Sequence, residues 1–186
     1  MTDVTIVDTP LPHQTQPNPP PRPQATDPLV RRAAAEAVLP DVIAWLGGHY
    51  KRREREHVIS QLIEAMNPMA YGDGYAIARN LERFSMWDPD TQLVEVLDGD
   101  HVGEALREAV AEWVEANQIK PKLEIGAEVT FQKSKLDKGR SEPGTIVAIH
   151  ADTAQYVVQT EEYLADSPSQ RGKTCGYVVA FEAVEA

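Results

Sequence analysis

The chain is 186 residues long, enough for one domain or two small ones. Its 29 acidic residues against 18 basic ones leave a net charge of −11, which excludes a generally basic nucleic-acid coat. A single cysteine, Cys175, excludes an intramolecular disulfide and a cysteine-only zinc cage, and no apolar run approaches the roughly 18 residues needed to span a bilayer. A reduced, cytoplasmic setting without membrane contact is expected.

Residues 1–27 hold seven of the 14 prolines, among them Pro17, Pro19, Pro20, Pro21 and Pro23, with little repeated apolar period. Such a stretch buries too little to offset its ordering entropy, so a disordered leader is expected. It carries neither the basic and apolar regions of a secretory signal nor the arginines of a transit peptide. A Pro-rich tail can also serve as a ligand for an aromatic-lined groove.

Asp27-Pro28 is a helix-start signal: a side-chain acceptor at the N-cap, then a residue whose missing N–H costs nothing in the first turn. Leu29, Val30, Ala33, Ala37 and Val38 give the helix an apolar side, and Pro40 should break it or restart it at Asp41. Val42, Ile43, Trp45 and Leu46 continue the burial up to Gly47-Gly48. A second helix starts in the polar run Lys51-Arg52-Arg53-Glu54-Arg55 and presents Val58, Ile59, Leu62, Ile63 and Met66 along one face. Gly72-Asp73-Gly74 opens a third, with Tyr75, Ile77, Ala78, Leu81 and Phe84. Asp88-Pro89 repeats the start signal before Leu93, Val94 and Leu97. Asp100 can cap a last helix whose Val102, Leu106, Ala109, Val110, Trp113 and Val114 form a core-facing stripe. Residues 28–119 therefore read as a helical domain of four or five helices.

Beyond Pro121 the apolar period changes from 3.6 to 2. Val129 and Phe131, Ile146 to Ile149, Tyr156 and Val158, and Tyr177, Val179 and Phe181 imply four or five short strands. The middle strands are apolar on both faces, which favours a sheet curled on itself. The fold class expected is α+β: leader 1–27, helical domain 28–119, and a small antiparallel β-barrel over 120–186.

The strings Gly126-Ala127-Glu128-Val129-Thr130-Phe131, Pro143-Gly144-Thr145-Ile146-Val147-Ala148-Ile149, Gln155-Tyr156-Val157-Val158 and Tyr177-Val178-Val179-Ala180-Phe181 carry a resemblance. They resemble the SH3-like small barrels, the broad group with Tudor-like and KOW-type modules. The connection Lys133 to Glu142 is longer than a compact basic KOW turn, and no four aromatics cluster as a methyl-lysine cage requires. In architecture the whole chain resembles small accessory proteins of bacterial viruses.

Three charged features are candidate sites. Between Asp88 and Glu115 nine acids face one base, Arg107, and Glu104, Glu108, Glu112 and Glu115 align on one helix flank, where like charges at i,i+4 repel. That flank could dock on a basic protein or imitate a DNA backbone. The loop Lys133, Lys135, Lys138 and Arg140, with Arg171 and Lys173 before the last strand, could touch phosphates if both loops share a rim. The run Lys51 to Arg55 sits at a helix start, where the macrodipole disfavours cations. His13, His49, His57, His101 and His150 are dispersed, and Asp98-Gly99-Asp100-His101 lacks the twelve-residue calcium layout. Trp45, Trp87 and Trp113 are either core or interface anchors; Trp113 fits the core stripe and Trp87 a plug between helices.

No catalytic residue, cofactor or metal is expected. The function anticipated is a non-enzymatic interaction protein whose partner is another protein, held through the acidic face or the barrel rim. The alternatives are a nucleic-acid-binding accessory factor using the basic loops, and an acidic DNA mimic.

Overall fold

The computed structural model describes residues 19–47, 54–67, 70, 72–132, 141–171 and 173–186. Five helices precede a five-stranded antiparallel sheet, so the chain is α+β. Each half has its own apolar core.

Helix α1 (Pro28–Leu46) begins at the expected signal with a different hydrogen bond. Asp27 occupies the N-cap position, but its side chain makes no capping bond to the helix. The Asp27 carboxylate instead accepts from the Gln24 amide at 2.8 Å, and the Asp27 amide donates to the Gln24 carbonyl at 2.9 Å, closing a turn ahead of the helix. Pro40 does not break α1 either. A proline inside a helix costs about 3 kcal/mol, whereas burying a Val or Leu side chain yields about 1.5–3 kcal/mol. Val38, Leu39 and Val42 are all buried around it, and Pro40 itself lies on the exposed side, so continuation wins. The buried face is Val30, Ala34, Ala35, Val38, Leu39 and Val42; Leu29, Ala33 and Ala37 lie off it, in solvent.

Helix α2 (Arg55–Ala65) buries Val58, Ile59 and Leu62, with Met66 at its C-cap, along the face anticipated. Helix α3 (Gly74–Ser85) is capped by Asp73, whose carboxylate accepts from the Ala76 amide. It buries Ile77, Ala78 and Leu81, while Tyr75 and Phe84, expected on the same side, are exposed. Gly74 is required by packing: a Cβ there would lie 2.3 Å from the Val94 carbonyl oxygen. Helix α4 (Thr91–Leu97) starts two residues later than Asp88-Pro89 implied, because Asp90 provides the cap by accepting from the Leu93 amide at 2.9 Å. Helix α5 (His101–Ala116) is capped by Asp100, as expected, and lies along α1. Together the five bury one continuous cluster from Val30 to Ala105.

The sheet comprises β1 (Glu128–Phe131), β2 (Glu142–His150), β3 (Gln155–Gln159), β4 (Tyr177–Ala180) and β5 (Val184–Glu185), in the spatial order β4-β3-β2-β1-β5. Its core is Val129, Phe131, Ile146, Tyr156, Val158 and Val179. A short helix α6 (Glu161–Asp166) and a 3-10 turn at Pro168–Gln170, neither legible from the period, fill the β3–β4 connection. Gln159 closes that connection: it is 7% exposed, and its amide nitrogen donates to the carbonyls of Gln170, Lys173 and Cys175 at 3.2, 2.9 and 2.7 Å.

Of the segment read as a disordered leader, residues 1–18 lie outside the described residues, and residues 19–27 are held against both halves of the protein. The Trp113 indole N–H donates to the Pro20 carbonyl at 2.9 Å. The Arg22 guanidinium sits 5.9 Å from the centre of the same indole. It also donates to the carbonyls of Thr153 and of Ala154, the latter at 3.1 Å, and pairs with Glu182 at 3.4 Å. On the linker between the halves, the Lys122 and Leu123 amides both donate to the Tyr156 hydroxyl at 3.0 Å.

Two outcomes follow. Gln159→Leu leaves three carbonyls without their donor and costs about 1–3 kcal/mol in urea unfolding, with faster amide exchange confined first to residues 160–176. Arg22→Ala removes the side chain that bridges the halves and costs about 1–3 kcal/mol by the same measurement, with Arg22→Lys intermediate because an ammonium lacks the planar fork.

Candidate functional site

Glu104, Glu108, Glu112 and Glu115 are all exposed on α5, whose buried residues are Val102, Ala105 and Val110. Arg107 bonds Asp100 at 3.1 Å and lies 3.9 Å from Glu104, so the first acid of the flank is partly neutralised. Glu108, Glu112 and Glu115 have no ion pair among the described residues. Among the described residues the flank is thus a single line of three uncompensated carboxylates over two helical turns.

Lys133, Lys135, Lys138 and Arg140 lie outside the described residues. Arg171 and Lys173 are exposed, and Arg171 pairs with Glu161 at 3.5 Å. Lys51, Arg52 and Arg53 are likewise outside the described residues. Arg55 is engaged internally: Arg32, Glu36, Arg55 and Glu56 form a four-membered ion-pair ring joining α1 to α2, with separations of 2.9–3.5 Å. Exposed pairs of this kind are worth at most about 1 kcal/mol each, so the ring orients the two helices more than it stabilises them.

The tryptophans separate into two places. Trp45 and Trp87 stack with ring centres 5.9 Å apart and planes 9° apart. Trp45 donates to the Asp90 carboxylate at 2.9 Å and Trp87 to the Gln61 side chain at 3.0 Å. Trp87 plugs the bundle as expected. It reaches Trp45 because Met86 takes a left-handed φ of 58°, which turns the chain back on α3 and throws the Met86 side chain into solvent, where it is 91% exposed beside exposed Phe84. Trp113 differs from the reading as core. Its stripe outruns the helices that α5 packs on, so the ring is half-buried, outside the helical core, and covered by Pro20 and Arg22.

Trp113, Ile119, Leu123, Tyr156, Phe181 and Val184 line a cleft of about 1230 Å³ between α5, the linker and the sheet, with Pro19 to Arg22 along it. The leader prolines were legible as a possible groove ligand; that the groove is in the same chain was not, because it joins residues about a hundred positions apart.

Among the described residues no group of three or more His, Cys, Asp or Glu side chains could hold a metal, and no helix is long and apolar enough to cross a membrane. Cys175 is exposed. His13 and His49 lie outside the described residues, and Asp98 and Asp100 serve helix ends, bonding the Gly74 and Gly103 amides. Phe131 and Tyr177 of the sheet and Tyr163 of α6 are in sequential ring contact at 5.8 and 5.6 Å. No family description, curated protein or solved structure matches this chain.

The Leu93 amide, aided by the Trp45 indole and opposed by partial desolvation, holds the Asp90 carboxyl below the usual carboxylate range. A depressed folded pKa contributes stability that is present above the ordinary aspartate value near 4 and is lost as pH falls through the folded value. Acid unfolding followed by tryptophan fluorescence therefore has a limb below about pH 4 that flattens in Asp90→Asn, which keeps a capping oxygen without the titration.

Proposed function

We propose that the protein is a non-enzymatic interaction protein that binds a basic surface of another protein through the outer flank of α5. The observation that carries this reading is the line of Glu108, Glu112 and Glu115, exposed and without ion pairs among the described residues. Carboxylates at i and i+4 repel when nothing opposes them, by a few tenths of a kcal/mol, and a cationic partner relieves that repulsion while steering encounter. A single line suits a basic groove or helix better than imitation of a nucleic-acid backbone, which needs charge spread over two dimensions.

We further propose that the C-terminal sheet belongs to the SH3-like small-barrel group. Supporting this are the meander order, the pairing of first strand with last through Thr130–Glu185 and Phe131–Val184, and the passage from β4 to β5 through one 3-10 turn at Phe181–Ala183. The bulge in β2 between Ile146 and Ala148 adds the local bend that curling requires.

The test is capture on immobilised protein from a cell extract, comparing wild type with the triple variant Glu108→Lys, Glu112→Lys, Glu115→Lys. Partners that depend on the flank are retained by wild type, lost from the variant and weakened by salt. Capture that is indifferent to all three substitutions overturns the reading.

A further inference from the structure

We propose that the cleft beside Trp113 is a receptor for a proline-rich, arginine-bearing peptide of a partner protein, and that residues 19–23 are its intramolecular competitor. The inference goes beyond the acidic flank and is independent of it, since none of Glu104, Glu108, Glu112 and Glu115 lines the cleft.

The seated segment displays the chemistry that the cleft recognises. A polyproline strand has no internal hydrogen bonds and offers its carbonyls outward, so an indole N–H beside an apolar surface is a natural receptor for it. Trp113 makes that bond with Pro20. The arginine has a second, separate seat. Ala154 is a buried non-glycine residue with a left-handed φ of 49°, a conformation costing on the order of 1–2 kcal/mol. That turn carries the two carbonyls which meet the guanidinium, and Glu182, its side chain 53% exposed, completes the seat with a negative charge. The turn closes the β2–β3 hairpin, and its Ala154 carbonyl, which also accepts from the Phe181 amide at 3.0 Å, faces the guanidinium together with that of Thr153.

The segment is also held in a way that permits exchange. Arg22 is well covered, its side chain 12% exposed, and Pro23 is half-buried, while Pro19, Pro20 and Pro21 are exposed. Beyond Arg22 the connection to α1 is the short turn Gln24–Asp27. With the segment in place, the cleft it lines together with Ile119, Leu123 and Val184 still holds open volume, leaving room for a longer ligand. Tethering gives the internal segment a millimolar effective concentration, so an external peptide competes poorly until that segment is weakened.

The experiment uses the full chain carrying Arg22→Ala and a synthetic peptide with the sequence of residues 19–25, followed by the Trp113 indole N–H resonance. The peptide binds this variant at least about tenfold more tightly than wild type, and a peptide with alanine in place of its arginine binds about tenfold more weakly. With Trp113→Phe added, the peptide no longer shifts the backbone amide resonance of Ala154, which reports the arginine seat without the indole. Should Arg22→Ala fail to fold, Arg22→Lys supports the same comparison. A folded variant whose Trp113 signal ignores millimolar peptide, or answers both peptides equally, overturns the proposal. So does concentration-dependent dimerisation of the wild-type chain that is lost in Arg22→Ala, which assigns the seat to a second copy.

Discussion

The relation between the two halves of this protein depends on where one guanidinium is held. Arg22 lies between the Trp113 ring of the last bundle helix and the carbonyls of Thr153 and Ala154 at a turn of the sheet. A planar cation suits that position because it can stack on an aromatic face and direct two N–H groups at neighbouring carbonyls at once. Lysine could satisfy only part of this. Beside Arg22, the Tyr156 hydroxyl accepts from the linker and Trp113 donates to Pro20. Each half has its own core, so the bridge contributes less to the existence of either fold than to their mutual placement.

Within the helical half, apolar burial repeatedly overrides local signals. Pro40 stays inside α1 because its neighbours are buried, and the cap of α4 moves from Asp88 to Asp90 because that carboxylate also receives the Trp45 indole. Met86 accepts a left-handed backbone so that Trp87 can stack on Trp45. In the sheet half the corresponding constraint is polar. Gln159 is buried and serves three carbonyls, holding in place a connection whose own apolar content is small.

The charged surface divides between internal use and availability. Arg32, Glu36, Arg55 and Glu56 neutralise one another, as do Arg107 and Asp100, whereas the outer line of α5 has no such compensation among the described residues. This distinction separates a carboxylate that orients two helices from one that can meet a partner. It could not be drawn from spacing along the chain, since Glu36 and Glu56 are brought together only by the packing of α1 on α2.

Composition and period by themselves determined the change from helices to strands near residue 120, the face of α2, the capping role of Asp100, and the antiparallel strands, because these depend on residues within a turn or two of each other. The tertiary structure alone decided the fate of Pro40, the exposure of Tyr75 and Phe84, the helix in the β3–β4 connection and the seat of Arg22. Those outcomes turn on which distant surface covers a residue. The prolines of residues 19–23 show the difference most clearly: their composition describes a strand unable to order itself, and it is Trp113 and the turn at Ala154 that order it.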